Sequence, residues 1–144
     1  MLGFLYALIA GAAMSFQGVM NTRLGERTGV LEANAFVQLV GFALALAVAL
    51  IFGKGDIRQL GQSPWYSWLG GVLAPVITVT VMLSISGLSP TVAISTILLS
   101  QLTVAALIDA FGLMGAERMP FTWQKIAGVV LMTAGVLLMK WKTS

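Results

Sequence analysis

Apolar positions come in long runs along this chain, separated by short clusters of charge, Gly and Pro. A helix rises 1.5 Å per residue, so about 20 apolar residues cross a hydrocarbon core about 30 Å thick. Five runs meet that length and predict five helices: Leu2 to Asn21, Ala33 to Phe52, Trp65 to Ser86, Thr91 to Gly115 and Phe121 to Met139. The third and fourth divide a stretch without formal charge between Arg58 and Asp109, at Gly87-Leu88-Ser89-Pro90. A helix satisfies its own backbone in lipid, and the short alternating segments of a membrane barrel do not appear.

Residues at the edges of the runs support this division. Trp65, Tyr66 and Trp68 open the third, Trp123 opens the fifth and Trp141 follows its end. Such rings favour the headgroup layer, where the apolar body is dry and the N–H or O–H is wet. Lys125, one turn inside the fifth run, can extend its ammonium outward. The first run lacks the basic n-region of a cleaved signal peptide and exceeds the length of its apolar region. Composition agrees: 58% of residues are hydrophobic and 9% charged, and mean hydropathy is +0.96, where a soluble domain carries about 25% charge. The expectation is an all-α integral membrane protein, a single transmembrane domain over residues 1–144.

The same composition excludes several functions. Without His or Cys there is no imidazole base and no thiolate. No nucleophile–base set, metal cluster or phosphate loop appears, so neither enzyme chemistry, a metal nor a cofactor is expected. The net charge of +3 sits on loops that flank lipid, so nucleic acid is not an expected partner.

Charge placement bears on assembly. On the N-terminal side of the membrane, side A, lie Lys54, Arg58, Arg118 and Lys125; on the opposite side, B, lie Arg23, Arg27, Lys140 and Lys142. Orientation follows an excess of Lys and Arg in cytoplasmic loops, and here four face four. Insertion in both orientations is therefore expected, with pairing of inverted copies. Five helices enclose a solute poorly, whereas solute carriers are commonly built from inverted repeats around a midplane site. One chain supplies half of such a shape, and an antiparallel homodimer the whole.

Small and polar residues mark the helix faces. Gly11, Gly18, Gly41, Gly128 and Gly135 lie in rows of small residues that let helices approach closely. Gln17 and Asn21 share a face, as do Asn34 and Gln38, and as do Gln101 and Asp109. Carboxamides in lipid either tie helices together or line a path for a polar solute, so Gln17, Asn21, Gln38, Gln101 and Asp109 are the candidate substrate-binding residues. Asp109 is the one acid well inside an expected span, a functional candidate by default; structurally it would cap a helix or meet Arg118 or Lys125. Within the third run, Pro75 cannot bond the carbonyl of Gly71, and the two residues form a candidate hinge or a static bend.

With these residues in view, the chain resembles the YdcZ-like branch of the drug/metabolite transporter superfamily. The resemblance rests on Gly18 to Leu24 with Gln17 and Asn21, on Gly70-Gly71-Val72-Leu73, and on Gln101 through Asp109 to Phe111-Gly112-Leu113. The closing Gly128 to Val136 is similar to the last helix of the wider superfamily. Ala110 stands where the family commonly has His after the acid, so an Asp–His proton pair does not carry over. The resemblance implies a multi-pass exporter of the bacterial inner membrane, paired as inverted halves, with lipid and a small-molecule substrate as partners. The four-helix small multidrug resistance transporters are more distantly similar. They use a first-helix acid to exchange protons for cationic drugs, and this chain has Gln17 in that region. Against a carrier working by alternating access stands a noncatalytic partner subunit, channel or scaffold.

Overall fold

The computed structural model describes residues 2–120 and 122–141. The expected start of the fifth span at Phe121, and Lys142 of the basic tally, lie outside the described residues. Among the described residues five helices are long and apolar enough to cross a membrane, the third counted from Trp65: α1 (Leu2–Thr28), α2 (Val30–Phe52), α3 (Leu69–Gly87), α4 (Pro90–Phe111) and α5 (Trp123–Trp141). No strand occurs among the described residues.

The helix ends depart from the apolar runs where capping chemistry overrides hydropathy. α1 continues seven residues past Asn21, carrying Arg23, Glu26 and Arg27 beyond the apolar run, with Arg23 and Glu26 paired at 3.0 Å. Gly29 alone turns the chain into α2. Its φ of +100° is a conformation that glycine adopts without Cβ strain. Its N–H bonds the Gly25 carbonyl and its carbonyl accepts from Ala33, so little backbone is left unsatisfied at the bend. The expected opening of the third span is a 3-10 turn, Trp65–Trp68, leading into α3. α4 begins with Ser89 accepting from the Val92 N–H and Pro90 in the first turn, a favourable start because proline's missing N–H is not needed there. It stops at Phe111, short of the expected Gly115, because Gly112 adopts the left-handed region at φ +64°.

Contacts divide the chain into a first unit, residues 1–87, and a second, residues 88–144. In the first, α1, α2 and α3 pack mutually. A methyl on Gly18 would lie 2.9 Å from Ile85 Cδ1 and 3.1 Å from Val81 Cγ1, and one on Gly25 would lie 2.5 Å from Met82 Cε. Met82, only 1% exposed, is the largest fully buried side chain. In the second unit α4 packs along α5. Most large apolar side chains of both units are exposed, as expected where the surrounding solvent is lipid.

Candidate functional site

Hydroxyls inside the helices are mostly satisfied locally. Thr22 donates to the Gly18 carbonyl, Thr78 to Ala74, Thr80 to Val76, Thr103 to Leu99 and Thr133 to Val129. This back-bonding hides a hydroxyl from lipid without recruiting a neighbouring helix. The carboxamides are four-valent and cannot be silenced that way, and they are the groups that distinguish one part of the molecule from another.

The first unit gathers three of them near its side-B end. Gln38 Nε2 lies 3.4 Å from Asn34 Oδ1 one turn earlier and 3.2 Å from Thr78 Oγ1 on α3. The first contact follows from the four-residue spacing; the second ties α2 to α3. Gln38 lies about 12 Å from the start of α2, inside the apolar span. On α1, Asn21 is only 8% exposed and makes no side-chain hydrogen bond among the described residues. Asn21 and Gln38 are nearly equidistant along the chain from the Gly29 turn, so they sit at a similar depth on adjacent antiparallel helices. Next to Asn34 opens a shallow groove lined also by Pro75, Val76, Val79 and Thr80. α3 runs as continuous helix through Pro75.

Other expected residues fall elsewhere. Gln17 on α1 and Gln101 on α4 are exposed and have no side-chain partner among the described residues. Of the packing glycines, Gly18 is in close contact, whereas Gly11, Gly41, Gly128 and Gly135 have nothing within 4 Å of a built Cβ. Thr78 and Gly25 did not stand out beforehand. Gly25 continues the seven-residue series of Gly11 and Gly18, and that spacing was the available signal.

Asp109 belongs to the second unit. Because α4 ends at Phe111, Asp109 lies about 3 Å from the helix end, nearer the headgroups than a helix reaching Gly115 would have put it. Its Oδ2 is 3.3 Å from Lys125 Nζ on the first turns of α5. Arg118 takes a different partner, donating from Nε to the Ala110 carbonyl at 3.1 Å, and the Met119 N–H donates to the Asp109 carbonyl at 2.8 Å. These bonds satisfy carbonyls that the end of α4 would otherwise leave open.

The arrangement offers neutral donors and acceptors in one unit and an ion pair at the membrane edge in the other. The family model described as "Putative inner membrane exporter, YdcZ" matches residues 2–138. No curated protein and no solved structure matches the chain.

Proposed function

This chain belongs to the YdcZ family of inner-membrane exporters, and on that premise we propose that it carries a small polar solute by alternating access, as an antiparallel dimer. The observation that carries the proposal is the cluster on the first three helices. Gln38 spans from Asn34 to Thr78, and buried Asn21 has a free carboxamide at similar depth. No buried side-chain N or O lacks a partner among the described residues, so the unbonded Asn21 carboxamide keeps an accessible edge, whereas an amide serving only to hold helices together would bond a neighbouring helix.

Inversion supplies the rest of the lining. Counted along the helices, Gln101 lies about 15 Å from the side-A end of α4, comparable with the depth of Gln38 from side B. In an inverted copy the two ends exchange sides, so Gln101 of one protomer is level with Gln38 of the other, with Gln17 slightly deeper. Asp109, closer to the surface, stands at the mouth. The even division of basic residues between the two sides supports insertion both ways.

Two measurements test the proposal. Solute flux in proteoliposomes, recorded beside a thermal melt, should be lost in Asn21→Ala, Gln17→Ala and Gln38→Ala while the protein still folds. Wild-type flux in all of them would mean that the carboxamides act as packing glue and do not line the path, and absence of flux in the wild-type protein would favour the scaffold reading. A C-terminal topology reporter should label both faces of the membrane, and two added lysines on either side should lock one orientation. A native population found wholly in one orientation would sink the antiparallel dimer.

A further inference from the structure

Asp109 already has a cation. Lys125 Nζ stands 3.3 Å from its carboxylate, and Arg118, the other cation of the connecting segment, is held on the Ala110 carbonyl. Among the described residues Lys125 is the ammonium within ion-pair distance of Asp109. Glu117, exposed in the same segment, is the other charge that the described residues of this segment carry. A solute that uses Asp109 must therefore displace a tethered competitor.

We infer that Lys125 sets the charge class of the transported solute: the Asp109–Lys125 pair is opened by a small zwitterion, whose ammonium engages Asp109 and whose carboxylate engages Lys125. This rests on the carrier reading above. The side chains of Lys125 and Asp109 are 34% and 43% exposed, so both groups are accessible at the surface of the second unit, and an ion pair that is not enclosed is weak enough to exchange partners. Leaving either charge alone is another matter, because Asp109 still lies within α4 and an unpaired ion on a span is costly wherever lipid surrounds it. A lone cation on Asp109 would strand the Lys125 ammonium, and a lone anion on Lys125 would strand the Asp109 carboxylate. A zwitterion replaces one pair by two and adds no net charge.

The test is uptake into proteoliposomes of a panel of small solutes grouped as zwitterions, cations and anions. Glycine betaine, choline and tert-butylacetate form one set matched in shape. The wild-type protein should favour the zwitterions. Lys125→Gln should shift the preference toward cations by roughly fivefold, the scale of an exposed ion pair, and Asp109→Asn should shift it toward anions. The double charge swap D109K/K125D keeps the pair, and should keep the zwitterion preference even if a single variant folds poorly. A wild-type preference for cations or anions, or an unchanged ratio of zwitterion to cation uptake in Lys125→Gln, would overturn the inference while leaving the carrier reading intact. Absence of flux for every class in the wild-type protein would overturn the carrier reading and this inference with it.

Discussion

The α1–α2 and α4–α5 connections each join consecutive apolar helices, but with different chemistry. α1 turns into α2 through Gly29 alone, and the bundle behind it is held by Gly18 and Gly25 against α3 and by the neutral Gln38–Thr78 bond. α4 reaches α5 through a longer segment with positive φ at Gly112, Met114 and Gly115, held by an Arg118–carbonyl bond and the Asp109–Lys125 pair. The difference follows depth. Neutral amides can be tolerated inside a span, where a charge is expensive; ions gather within reach of the headgroups. On the proposed carrier reading, the first unit would hold a solute within the membrane and the second would select one at its edge.

The largest effect that separates the two units should come from glycine. Gly18→Leu places a branched side chain where even a methyl would meet Ile85 and Val81. Overpacking of this kind costs about 1–3 kcal/mol. A Cβ built on Gly128 of α5 has nothing within 4 Å, so Gly128→Leu should leave the melt of a detergent-solubilised monomer nearly unchanged. Equal shifts for both variants would break the distinction between a packed first unit and an open α5. A normal melt with lost dimerisation in Gly128→Leu would sharpen it, assigning the α5 glycines to a partner.

A smaller effect separates the two polar links. A double-mutant cycle on Gln38 and Thr78 should give a coupling of about 0.6 kcal/mol, the average for interhelical bonds in membranes. The Asp109–Lys125 pair should couple by no more than about 1 kcal/mol. Their response to salt should differ, because ions screen exposed charges and leave a bond between neutral groups alone. Coupling between Asp109 and Lys125 that persists at high salt would mean that the pair is more enclosed than its exposure indicates.

The number of spans was legible because lipid imposes both length and all-round apolarity. The ends were less legible, since hydropathy marks the hydrocarbon and not the helix. Arg23, Glu26 and Arg27 are polar enough to read as loop, yet they continue α1 to Thr28 because charged residues form helix readily once outside lipid. The apolar Leu113 and Met114 carried the expected span past Gly112, whose left-handed backbone ends the helix. Within the candidate site, the Asn34–Gln38 contact follows from spacing along one helix. Thr78 does not, because helices that are apolar on every side give no stripe to say which face meets which neighbour. The pairing of Asp109 with Lys125 was one of two cationic partners considered, and the structure selects it by sending Arg118 to a carbonyl.

The smallest structural effect is expected at Pro75, where the kinetic effect could still be large. Proline lacks the N–H that would bond the Gly71 carbonyl, so α3 has a missing rung beside the groove that Pro75 shares with Asn34. Gly70 and Gly71 have nothing within 4 Å of a built Cβ, leaving room for this part of α3 to bend. Pro75→Ala can restore the bond and stiffen the helix without removing a polar group from the cluster. The expected outcome is slower transport at nearly unchanged substrate affinity, with a melt equal to or slightly above wild type. Equal loss of rate and affinity would place Pro75 in the binding surface, and a wild-type rate would reduce it to a static bend. Because Gln38 and Thr78 remain in place in this variant, a change confined to rate separates motion of the first unit from the composition of its site.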